Sequence, residues 1–113
     1  GAFSAANNTV KGAKKWPTGK FKFDYHKPHP NDKDYTTHGS YGNFVFKVKG
    51  RPGMGVHSGR NFSDKKGYTH NKGYKHKTFG CIRTTDKAMK FISDIHSGDK
   101  IEYIKVIDNC NPD

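Results

Sequence analysis

Gly55-Val56-His57-Ser58-Gly59, followed further along by Thr78-Phe79-Gly80-Cys81-Ile82-Arg83, holds the chemistry of this chain and orders the elements around it. One histidine and one cysteine each stand beside glycine or serine, with an arginine two positions past the sulfur. A thiol attacks as thiolate, and an imidazole brought near it is the usual activator. Glycine next to a nucleophile lets backbone N–H groups approach a tetrahedral oxyanion. Arginine can grip a carboxylate through two parallel hydrogen bonds. These residue types point to thiol acyl transfer on a carboxylate-bearing substrate.

Outward from this stretch the pattern is one of short strands. Gly55-Val56-His57 reads as a strand delivering the histidine at its end. Before it, residues 43–49 alternate apolar and polar, as a half-buried strand does, and Gly50-Arg51-Pro52-Gly53 closes them with a turn. Earlier still, the turn Trp16-Pro17-Thr18-Gly19 opens residues 20–25, where Phe21, Phe23 and Tyr25 alternate with charged residues. Residues 26–42 read as a long loop, and residues 58–77 as a functional lid or mobile connection without periodicity. After the cysteine, Thr84-Thr85-Asp86 reads as a helix N-cap. Ala88, Met89, Phe91, Ile92 and Ile95 follow at helical spacing, with Met89 and Phe91 read as core and Gly98 as the stop. Residues 100–107 form a closing strand, apolar on both faces near its end. The expected class is mainly β with one helix, α+β. Residues 1–15 are a linker or loosely held segment, and residues 16–113 are one domain.

At 113 residues the chain supports one modest core. Only 31% of residues are hydrophobic, and the mean hydropathy is -1.00, so the domain is expected to be loop-rich or to lean on a partner. No apolar run approaches the ~20 residues of a membrane span. Gly1-Ala2-Phe3-Ser4 lacks a basic region followed by a long apolar stretch, which reads as a mature product or a fragment. The net charge of +11 favours an anionic partner, but the lysines are scattered rather than gathered on one face. Cys81 and Cys110 lie in different settings, a glycine-flanked word and a polar tail, and are read as having different jobs, with a disulfide between them as the alternative.

Taken together, these words resemble the catalytic domain of the L,D-transpeptidases, the YkuD-like cell-wall cross-linking enzymes. Pro17-Thr18-Gly19-Lys20-Phe21 matches the family's Pro-Thr-Gly-x-Phe turn and strand. Val56-His57-Ser58-Gly59 matches its strand-end histidine, and Thr78-Phe79-Gly80-Cys81-Ile82-Arg83 its Ser/Thr-x-Gly-Cys-Ile/Val-Arg word. An aspartate-led helix, a glycine turn and a closing strand follow in the family's order, so the resemblance covers residues 16–107. It implies an abbreviated L,D-transpeptidase-like β-sandwich. It also implies that Cys81 is the nucleophile, that His57 is the base, and that Ser58 orients His57 through its backbone. By the same carry-over Gly80 shapes the oxyanion site, Arg83 holds substrate charge or buttresses the cysteine loop, Thr78 fills the family's Ser/Thr position, and no cofactor or metal is required. The substrate would be the peptidoglycan stem peptide. The acyl-enzyme would pass to an amine, in cross-linking or D-amino-acid exchange, or to water, in carboxypeptidase action.

This sequence departs from the family in three ways. The segment from His57 to Cys81 is longer than usual, Phe79 replaces a common histidine, and about fifteen polar residues stand where two further strands are normal. An abbreviated, strongly basic member resembles the toxic C-terminal domain of a secreted interbacterial effector. Such a domain would act in a rival's periplasm and be neutralised by an acidic immunity protein. His76 is a candidate substrate contact or alternative base, whereas His26, His29, His38, His70 and His96 are read as surface or loop residues. Two other classes compete. One is a basic nuclease or nucleic-acid-targeting toxin, supported by charge and aromatics but giving the cysteine no purpose. The other is a zinc hydrolase using His57, His70, His76 and Cys81, whose spacing matches no compact ligand word.

Overall fold

The computed structural model describes residues 11–28, 38–59 and 80–107, together with the backbone of Ala5–Ala6. Six strands and one helix make up the regular structure of these residues: β1 (Ala5–Ala6), β2 (Gly19–Lys27), β3 (Asn43–Phe46), β4 (Gly55–His57), β5 (Ile82–Thr84), α1 (Asp86–Gly98) and β6 (Tyr103–Val106). The strands form one sheet in the order β1-β5-β4-β3-β2-β6. All neighbours are antiparallel except β4 and β5, which run parallel. The described residues are thus mainly β with one helix, as the patterning predicts.

β2 serves two partners. Its first half, Gly19 to Lys22, pairs with β6, and its second half, from Phe23, pairs with β3. The ladder shifts register between Phe23 and Tyr25. An extra residue at such a bulge turns the strand and reverses which side chains face inward. Phe21 and Phe23 are accordingly half-buried, but Tyr25 is 46% exposed and His26 takes the inward position after it. The simple alternation read through Tyr25 therefore breaks at the bulge. The reading of His26 as a surface residue is corrected as well. Its ring stacks on Phe44 with centroids 4.1 Å apart, and its Nε2 lies 2.6 Å from the Tyr41 carbonyl.

β3 is buried at all four positions, so the alternation expected there is absent in its central place in the sheet. Phe44 and Phe46 join Trp16, Val48, Met54, Val56, Met89 and Val106 in the core. Trp16, 2% exposed, meets Phe21 edge-on at 5.9 Å and tilts against Phe46. The Arg51 guanidinium donates to the carbonyls of Lys14 and Lys15, tying the approach to Trp16 onto the turn after β3.

The helix begins where the sequence places it. Thr85 is the N-cap, its hydroxyl accepting the Ala88 N–H at 3.1 Å, and Asp86 occupies the first turn. Such a cap contributes roughly 1 kcal/mol. Gly98 is the last helical residue, and the cap falls one residue later, on Asp99, whose N–H donates to the Ile95 carbonyl. Ala88 and Met89 are buried, but Phe91 is 50% exposed, which corrects its assignment to the core. His96 is also drawn inward. It contacts Phe23 and Phe44, and its Nδ1 accepts from the Ile101 N–H at 3.0 Å. Among the described residues no helix is long and apolar enough to cross a membrane.

Candidate active site

β4 and β5 carry the candidate residues side by side. Val56 pairs with Ile82 and His57 with Arg83, so the ladder extended back by one residue sets Gly55 opposite Cys81. Residues two apart on a strand share a face. Cys81 and Arg83 therefore share one face with Gly55 and His57, and Val56 and Ile82 point to the other, where the core and α1 lie. On the site face His57 and Cys81 are diagonal neighbours across adjacent strands.

The thiol has defined surroundings. The Gly55 N–H donates to Cys81 Sγ at 3.4 Å, and Sγ lies 3.7 Å from the Gly53 carbonyl as a donor. Gly80, buried at φ +132°, precedes it. A Cβ there would fall on the Arg51 guanidinium and within 3.0 Å of the Lys14 carbonyl. Glycine is thus required both by conformation and by close approach. Gly55 is held open for a different reason, since a Cβ on it would fall on the side-chain amide of Asn43. Asn43 is 6% exposed, and among the described residues its Oδ1 has no hydrogen-bond partner.

His57 is 2% exposed, and its Nδ1 donates to the Ser58 carbonyl at 2.7 Å. With Nδ1 carrying the proton, Nε2 of the neutral ring is the acceptor. Ser58, fully buried, donates through its hydroxyl to Asp86 Oδ1 at the start of α1. The Asp86 carboxylate also receives the Ser40 N–H at 3.3 Å and the Ser40 hydroxyl at 3.0 Å. Arg83 is 4% exposed and lies on the site face.

Burial dominates the electrostatics. It lowers the His57 pKa to about 3, helped by His38 and Arg83 and opposed by the Ser58 hydrogen bond. Burial raises the Cys81 pKa, opposed by the Gly55 N–H and by the positive charges of Arg83 and Arg51. Near neutral pH the site therefore rests as thiol and neutral imidazole.

The structure thus places Cys81, His57 and Arg83 on one face of the parallel pair β4–β5, with Gly80 just ahead of β5 and Ser58 just after β4. Thr78 and His76 lie outside the described residues, as do Phe79, His70, His29 and Cys110. Among the described residues no group of three or more histidine, cysteine, aspartate or glutamate side chains is placed to hold a metal ion. Four participants escape the sequence reading. Asn43 backs Gly55, Arg51 backs Gly80, Asp86 holds Ser58, and the ring of His38 meets that of His57 with centroids 4.5 Å apart. The faint signal for His38 is the glycine after it, since small neighbours also flank the other site residues. No family model matches the chain, and neither a curated protein nor a solved structure matches it.

Proposed function

We propose that this chain is a cysteine acyltransferase of the L,D-transpeptidase kind, acting on peptidoglycan stem peptides. The observation that carries the reading is the pairing of β4 with β5. It sets a thiol and an imidazole on one face, with Nδ1 of the imidazole bonded to the Ser58 carbonyl and Nε2 left to accept a proton. In this reading Cys81 Sγ bonds to the carbonyl carbon before a terminal D-residue while its proton passes to His57 Nε2. The carbonyl π pair moves to oxygen, where backbone N–H groups at the Gly80–Cys81 turn stabilise it. Collapse of the intermediate breaks the C–N bond, and the departing amine takes the proton from His57. The thioester then passes its acyl group to an incoming amine or to water. Arg83 is suited to a substrate carboxylate, because a buried guanidinium offers a fixed fork in a poorly solvated place.

The finer assignments rest on the same resemblance. A sandwich-like L,D-transpeptidase fold, toxin activity in a bacterial periplasm and an acidic immunity partner are parts of the proposal. The charge of +11 supports the last of these. The test is digestion of purified tetrapeptide-containing muropeptides. Tripeptide or D-amino-acid-exchanged products that vanish in Cys81→Ala support the proposal. Unchanged muropeptides, with cleavage of RNA or DNA instead, would replace it by a nuclease.

A further inference from the structure

His38 lies far from the site in sequence, yet its ring stands almost perpendicular to that of His57, at 86°. The segment that carries it has little freedom. Gly39 sits at φ +75°, and a Cβ there would fall on the Ser58 hydroxyl and lie 2.7 Å from Asp86 Oδ1. Next to it Ser40 donates to both oxygens of Asp86 through its N–H and its hydroxyl. The Ser58 hydroxyl donates to the same carboxylate, and the Ser58 carbonyl holds His57 Nδ1. One carboxylate thus ties together the segment bearing His38 and the residue that fixes the tautomer of His57.

We propose that His38 is a positioning residue for the base, and that its charge decides whether His57 can take the thiol proton. A neutral imidazole beside His57 offers the forming imidazolium an aromatic neighbour. A protonated one opposes that cation at close range. His38 itself neither gives nor receives a proton in the step: S–H breaks, S–C forms, and the proton resides on His57 Nε2. Among the described residues the groups facing His57 are His38, Arg83 from β5 and the Ser58 carbonyl, with Cys81 its diagonal neighbour across the two strands. Arg83 keeps its charge throughout. Asp86 reaches the pair through Ser58 and Ser40, so it acts alike in wild type and in variants at position 38. Histidine is the side chain suited to such control between pH 5 and 8. The role in turnover rests on the proposed acyl transfer; the coupling of the two rings does not.

The experiment follows the ring nitrogens of His57 by NMR on the full chain, from pH 5 to 8, in wild type, His38→Phe and His38→Gln. Wild type should show a step in the His57 signals within that range, although His57 stays neutral, and both variants should lack it. The same step in the variants, or none in wild type, overturns the proposal. In parallel, kcat/KM for muropeptide trimming is measured against pH, each variant scaled to its own plateau. Wild type should decline on the acid side, and His38→Phe should lose that decline. His38→Lys should lower kcat/KM on the order of 100-fold on the neutral plateau, with the gap to wild type closing on the acid side. Superimposable acid limbs in wild type and His38→Phe would contradict the role. Should wild type fail to turn over muropeptides at all, the proposed function falls while the NMR result still decides the ring coupling.

Discussion

The carbonyl of Ser58 accepts the Nδ1 proton of His57 at 2.7 Å, so a backbone atom rather than a carboxylate fixes the tautomer of this ring. Asp86 enters one step behind, through the Ser58 hydroxyl. Among the described residues this leaves the imidazole buried, neutral and without an adjacent negative charge. Under the proposed acyl transfer, His57 would be a general base that is uncharged at rest.

Cys81 alkylation should report the resting thiol. Because burial raises its pKa above the usual thiol range, the iodoacetamide rate should climb about tenfold per pH unit from pH 7 through 8.5. Mass mapping separates Cys81 from Cys110. A rate already level by pH 7 would mean a standing thiolate, contrary to this geometry.

Stability should depend on pH through His57. Its folded pKa, about 3, lies below the unfolded value near 6.5. The folded state therefore binds this proton less readily, and the associated stability is present above pH 6.5 and lost as pH falls toward 3. The loss amounts to at most about 1.4 kcal/mol per unit in that window. Urea unfolding at pH 7, 6 and 5 should show this slope, and His57→Gln should flatten it.

Gly55→Ala should unsettle the site without touching a catalytic group. Its Cβ would fall on the Asn43 amide, so one of the two strands must move. Overpacking of this kind costs roughly 1–3 kcal/mol. The expected result is a lower unfolding midpoint together with slower Cys81 alkylation, since the Gly55 N–H contact to sulfur is displaced. An unchanged midpoint would show that Asn43 yields freely.

Arg83 should matter for substrates that end in a carboxylate. Loss of a charged hydrogen bond costs roughly 1.5–3 kcal/mol, or about 10–100-fold in kcat/KM. Arg83→Ala should lose that factor on tetrapeptide muropeptides and little on the same peptides with an amidated terminus. Arg83→Lys should recover only part, because a point charge does not replace the fork. Equal losses on both substrates would assign Arg83 to supporting the cysteine loop instead.

Much of the fold is legible because local signals here agree with tertiary ones. The Thr85 cap and the turn before β2 are set by residues close in sequence, and β4 ends on the histidine as its pattern suggests. Tyr25 and His26 are misjudged because a bulge has no marker in an alternating sequence. β3 is misjudged because its burial depends on neighbours brought in from elsewhere. In the site, Cys81, His57 and Gly80 stand out by their glycine-rich setting. His38, Asn43, Arg51 and Asp86 do not, since each acts through a contact made across the sheet or from the helix.

Intact-protein mass spectrometry during reaction with a tetrapeptide muropeptide tests the central claim most directly. The account predicts a covalent acyl adduct on the chain, mapped to Cys81 by peptide digestion, absent in Cys81→Ala and lost when an acceptor amine is added. Stem-peptide products formed at the wild-type rate by Cys81→Ala, or an adduct mapped to another residue, would contradict it.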